Sequence, residues 1–214
     1  MPAPVTLDAL LEALNGASSS EALVEATWAL ARRGDAAAAP ALVDVLGYNN
    51  PGAAVAAVDG LVALGAAAVD PLLRLDPENY GARAWAVRAL AGIGDVRGLE
   101  VLIDALGSDV AASVRRAAAK GLGTLELDHL APETRQTVQL RCLNALVAAA
   151  VDGEWVVRYA VAVGLESLAR TLVPGTEARQ RLDAALAALC DEDDGNPPVV
   201  RLRARMALDR LVER

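Results

Sequence analysis

Apolar residues recur at intervals of three and four along almost the whole chain, the spacing of one buried helix face. The stretch Tyr80 to Asp95, YGARAWAVRALAGIGD, shows the pattern in full. Ala, Val and Leu line one side, while Arg83, Trp85 and Arg88 lie on the other. Gly92-Ile93-Gly94-Asp95 then predicts a stop, two glycines closing one helix and an aspartate able to cap the next. Related segments repeat along the chain. Leu30, Leu61, Leu90, Leu122, Leu165 and Leu208 hold one equivalent position, spaced by 31, 29, 32, 43 and 43 residues. A period near 30 that holds two helices and two tight turns predicts an all-α fold, an α-solenoid (superhelix) of HEAT-like repeats with about five to six helical pairs. No pair can bury its own apolar face, so residues 1–214 are expected to form a single domain.

The same pattern sets the elements. A first helix is expected from Pro4 to Asn15, with Thr6 or Asp8 near its start, and Ser20 is placed to cap the next, Glu21 to Arg33. Further helices are expected at Ala53 to Leu64, Val114 to Leu125, Pro132 to Val151, Glu154 to Leu172, Thr176 to Cys190 and Pro198 to Val212. Between the longer spacings, the insert Glu126 to Glu133 carries His129, the one histidine.

Composition narrows the picture. The chain is 54% hydrophobic but only 3% aromatic and has no Phe, so its core is built of Ala, Leu and Val. Small side chains suit closely stacked helices better than a sheet. A net charge of −8 argues against a nucleic-acid partner, which requires a basic face. Cys142 and Cys190 lack metal-ligand spacing and read as two reduced thiols. The N-terminus has neither a basic region nor a long apolar run, and no segment approaches the length of a membrane span. A cytoplasmic location in a reducing compartment is expected.

Arginines form a second register. Arg83, Arg115, Arg158 and Arg201 each lie seven residues before an anchor leucine, near a helix start, where a cation is mildly unfavourable. An acid from a neighbouring turn, such as Asp109 or Asp152, is the expected compensation for Arg115, Arg158 and Arg201. Arg88 lies five residues after Arg83, so the two project differently; they either hold different parts of one large anion, or only one faces a ligand. Tyr80 and Trp155 both lie ten residues before their leucines, where they either line a groove or plug gaps at helix starts.

Much chemistry is absent. One histidine cannot build a His-rich metal site, so no metal is expected, and no Gly-rich phosphate loop follows a strand. The residues alone describe a binding scaffold, in which catalysis would come from orientation or from a carboxylate acting on a bound ligand.

Two stretches exceed the needs of a solenoid. LGYNNPGAAVAAVDGLVALG (Leu46 to Gly65) and YGARAWAVRALAGIGD, with SVRRAAAKGLGTL at Ser113 to Leu125, closely resemble the F-type (β) subunits of heterodimeric phycocyanobilin lyases. The resemblance covers essentially the whole chain, and its most specific part is Tyr48-Asn49-Asn50-Pro51-Gly52 followed by Tyr80-Gly81-Ala82-Arg83-Ala84-Trp85.

That resemblance implies a lyase, active only with an E-type partner subunit. The pair would bind phycocyanobilin as substrate, with no cofactor, and promote its thioether attachment to a cysteine of the apo-phycocyanin α subunit. The alternative is a non-catalytic scaffold for phycobilisome assembly or degradation. Under the lyase reading Arg83 and Arg88, then Arg115 and Arg158, are candidate partners of the bilin propionates, since arginine forks a carboxylate. Asp59, set in an otherwise apolar helix, is the candidate catalytic carboxylate for the protonated pyrrole nitrogens. Tyr48, Tyr80, Trp85 and Trp155 are candidates to stack on pyrrole rings. Asn49 and Asn50 either contact the bilin or only shape a turn. Family members that isomerise the bilin carry adjacent His and Cys; neither cysteine here has a neighbouring histidine, which implies attachment without isomerisation.

Overall fold

The computed structural model describes residues 5–76, 78–192 and 195–212, and among these every regular element is helical. Pro4, the expected start of the first helix, lies outside them. The chain divides into two compact units, Met1–Asp95 and Val96–Arg214.

The first unit holds α1 (Leu7–Asn15), α2 (Ser20–Arg33), α3 (Ala39–Val45), α4 (Pro51–Leu64), α5 (Ala66–Leu73) and α6 (Tyr80–Ile93). Thr6 caps α1, its hydroxyl accepting from the Ala9 amide. Ser19, rather than Ser20, caps α2 by accepting from Ala22 N. The hydroxyl of Ser20 instead receives the side-chain amide of Asn50, which occupies it elsewhere. Helices α2, α4 and α6 pack side by side in one row, with α3 and α5 in a second row against them. Leu30, Leu61 and Leu90 are buried at equivalent points of the first row, each contributing about 1.5–3 kcal/mol by leaving water. Four alanines of α4, at 53, 54, 56 and 57, are wholly buried, so neighbouring backbones come close.

Gly92 differs from expectation. It lies within α6, and the helix stops at Gly94, whose φ of 73° is the left-handed conformation that glycine adopts freely. A Cβ on Gly92 would stand 2.7 Å from Val62 Cγ2, so this glycine lets α6 approach α4.

The second unit repeats the scheme with α7 (Leu99–Ser108), α8 (Ala112–Gly123), α9 (Pro132–Ala148), α10 (Trp155–Ala169), α11 (Glu177–Leu189) and α12 (Pro198–Val212). Here α8, α10 and α12 form one row and α7, α9 and α11 the other. Leu122 and Leu165 are buried, while Leu208 on the last helix is half-buried. At the α8–α10 crossing, a Cβ on Gly123 would lie 2.3 Å from the Gly164 carbonyl oxygen. The insert before α9 is held by Arg135, which donates to the carbonyls of Leu127, Asp128 and Leu130. Buried Glu166 on α10 pairs with Arg203 and Arg210 of α12 and with Arg170. Both units are thus all-α assemblies of HEAT-like helical pairs.

Candidate functional site

Each helix of the α2–α4–α6 row keeps one stripe open to solvent. On α4 it runs through Val55, Asp59 and Ala63; on α2 through Glu21, Glu25, Trp28 and Arg32; on α6 through Gly81, Ala84, Trp85, Arg88 and Gly92. Trp28, Asp59 and Arg88 all lie two residues before their anchor leucines, so they hold one register on three successively packed helices. The Arg88 guanidinium lies over the Trp85 ring, 4.7 Å from its centroid. On α2 the Arg32 guanidinium lies 5.7 Å from the Trp28 centroid. The result is an acid on the central helix with an arginine–tryptophan pair on either side.

This arrangement has a chemical use. A guanidinium set over a ring face can still turn N–H donors toward an anion, and the ring contact restricts its poses. Among the described residues neither Arg32 nor Arg88 is paired with a carboxylate. Asp59 is exposed and can accept from a cationic or N–H-bearing ligand. Of these residues the sequence offered Asp59, Trp85 and Arg88 as candidates and gave Trp28 and Arg32 no role. The signal for Trp28 was the register it shares with Asp59 and Arg88, and Arg32 follows it one helical turn later.

The remaining candidates lie elsewhere. Arg83 is half-buried at the register of Leu23 and the wholly buried Ala54, turned away from the open stripe. Tyr80 is 73% exposed at the first residue of α6. Tyr48 and Asn49 are exposed ahead of α4. The rise of a helix puts these starts roughly 12–14 Å along the axis from Asp59 and Arg88. Tyr48 lines a cleft of about 580 Å³ with Asp44, Arg74, Asp76 and Asn79, where Ala82 is the one residue of the second motif. Asn50 is buried and satisfied. Its Oδ1 accepts from Ala53 N at 3.1 Å, and its Nδ2 donates to the carbonyl and hydroxyl of Ser20.

In the second unit the arginine register is a ladder of helix-start bonds. Arg115 donates from Nε and Nη2 to the two Asp152 oxygens, at 2.7 and 2.9 Å, and from Nη1 to the Asp109 carbonyl. The Arg115 hydrogen bonds hold the Asp152 carboxyl below its usual range. Arg158 donates to the Asp152 carbonyl and to Asn196 Oδ1, an amide where a carboxylate was expected. Arg201 pairs with Glu192. Each guanidinium thus meets helix-start carbonyls or an acid of a neighbouring turn. Trp155, 46% exposed, opens α10 and so lies in a different unit from Tyr80. Among the described residues no group of His, Cys, Asp and Glu has the arrangement of a metal site.

Comparison with known proteins places this architecture. Residues 72–136 match HEAT repeats, and residues 22–48 match the PBS lyase HEAT-like repeat. A phycocyanobilin lyase subunit beta of Pseudanabaena tenuis is 55% identical over 165 residues, 76% of this chain and 58% of that protein's own length. The phycocyanin alpha phycocyanobilin lyase CpcF of Synechocystis sp. is 52% identical, over 77% of each chain. A chain in the solved complex of CpcE and CpcF of phycocyanin lyase from Nostoc sp. PCC7120 superposes with a TM-score of 0.72 at 44% identity, covering 81% of this chain and 99% of that one. An extended match of this identity fixes the lineage: the chain belongs to the family of phycocyanobilin lyase β (F-type) subunits.

Proposed function

We propose that this chain is one subunit of a heterodimeric bilin lyase, a lyase active only with its E-type partner. The pair binds phycocyanobilin and promotes its attachment to a cysteine of the apo-phycocyanin α subunit. The observation that carries this reading is 52% identity, over 165 matched residues, with a relative named as the phycocyanin α lyase.

The reaction asks for little protein chemistry. The substrate protein's thiol adds across the exocyclic double bond of ring A: sulfur bonds to the outer carbon and the hydrogen goes to the ring carbon. Nothing leaves, and nothing is oxidised or reduced. A lyase therefore contributes orientation and proton placement, terms that reach several kcal/mol when the reacting atoms are held in line. The open row on α2, α4 and α6 supplies groups for this, with Asp59 for the pyrrole nitrogens and arginine for a propionate. The bilin is substrate, and no cofactor is needed. His129 is neighbour in sequence to neither Cys142 nor Cys190, so the chain lacks the adjacent His and Cys of isomerising relatives, which favours attachment without isomerisation. No helix among the described residues is long and apolar enough to cross a membrane. We place the activity in the cytoplasm, where reduced substrate thiols persist.

The test is coexpression of this chain with an E-type subunit, phycocyanobilin and apo-phycocyanin α subunit. Zinc-enhanced fluorescence of a covalent product is expected only when all are present. Product no greater than the spontaneous background would instead favour a non-catalytic scaffold.

A further inference from the structure

We infer that Trp28 and Arg32 of α2 form the second arm of the bilin-binding row, opposite Trp85 and Arg88, a reading that rests on the chain binding a bilin as proposed above. Three observations carry it. The two arginine–tryptophan pairs lie on the outer helices of one packed row, and Asp59 on the central helix shares the register of Trp28 and Arg88. Arg32 is exposed and Arg88 half-buried, and among the described residues neither has a carboxylate partner. The chain has only three tryptophans, and two of them lie beneath these arginines.

Physical chemistry then selects the ligand. Two helix spacings of roughly 8–10 Å each separate α2 from α6, so a ligand bridging the row meets one guanidinium at each edge. Each guanidinium suits a carboxylate, each indole face suits a flat π-system, and the acid between them suits a cationic or N–H-rich centre. Glu21 and Glu25 lie on the same stripe of α2, toward its start, and repel an anion placed there. The anionic arm is thereby directed to Arg32, nearer the helix end. A planar, conjugated dicarboxylate with protonated ring nitrogens satisfies all of these groups together.

The test uses the purified heterodimer with two probes, phycocyanobilin and its dimethyl ester, which keeps the π-system but removes both negative charges. Arg32→Gln is expected to weaken binding of the free acid roughly tenfold or more and leave the ester unchanged. Arg32→Lys, which keeps the charge but not the fork, recovers part of the loss. Trp28→Ala is expected to weaken both probes. Lys120→Gln, an exposed change on α8, serves as control and alters neither. Equal affinity of parent and Arg32→Gln for the free acid overturns the assignment, as does an equal loss on acid and ester, which would mark Arg32 as structural. A parent heterodimer that binds neither probe and transfers no bilin overturns the lyase reading itself, and this proposal with it.

Discussion

Cys142 has no exposed surface, and burial pushes its thiol up to about 12, so almost none is thiolate at neutral pH. Cys190, at the end of α11, is only half-buried. A disulfide reagent applied to the native chain should therefore modify Cys190 and spare Cys142, with both reacting after unfolding. Rapid modification of two thiols in the folded state would contradict the burial described. Single residues were also where the sequence was least legible. Asn50 was a candidate ligand group because it sits in a distinctive motif, yet its buried amide caps α4 and ties it to Ser20 of α2. Trp28 and Arg32 were given no role because neither lies in the two distinctive stretches. That Trp28 faces the same way as Asp59 and Arg88 shows only when α2 is laid beside α4 and α6.

At the scale of the helix, the repeat period and the anchor leucines were fully legible, because burial of one face leaves a spacing that survives sequence change. Which glycines end helices and which let helices touch was not, because both uses place glycine in an apolar context. Gly94 ends α6, whereas Gly92, Gly123 and Gly164 mark crossings. A Cβ on Gly164 would lie 2.3 Å from the Ala119 carbonyl oxygen, which is backbone and cannot rotate aside. Gly164→Ala should thus force α8 and α10 apart at a cost of about 3 kcal/mol. In a chain of this size, that lowers the melting temperature by roughly 6–12 °C, and an unchanged melt would show that the crossing has slack. The arginine ladder was partly legible: an acid at Asp152 was anticipated for Arg115, but the amide of Asn196 for Arg158 was not, since a loop contact 38 residues away leaves no local pattern.

Across the whole molecule, charge pairing shows most clearly in the second unit, where Glu100, Asp152 and Glu166 are held below the ordinary carboxylate range. For Glu166 burial alone would raise the value, but the Arg203 hydrogen bond and the nearby guanidiniums outweigh it. A carboxyl whose folded value is lowered contributes stability that is complete above its unfolded value and is lost as pH falls through the folded one. The second unit should therefore lose amide protection as the solution is taken from neutrality through the carboxylate range. Asp152→Asn should cost about 2 kcal/mol at neutral pH and flatten that dependence; an acid response identical to the parent's would remove Asp152 from the account. The ladder that holds this carboxylate also has a direction. Arg115 and Arg158, near the starts of α8 and α10, each close on the turn that precedes the next helix of the row, like clasps fastened in sequence. Arg201 of α12 fastens backward, to Glu192 in its own preceding turn. Trimming the chain before Asn196 therefore does more than delete α12. It opens the clasp on Arg158, and the loosening passes back to α10.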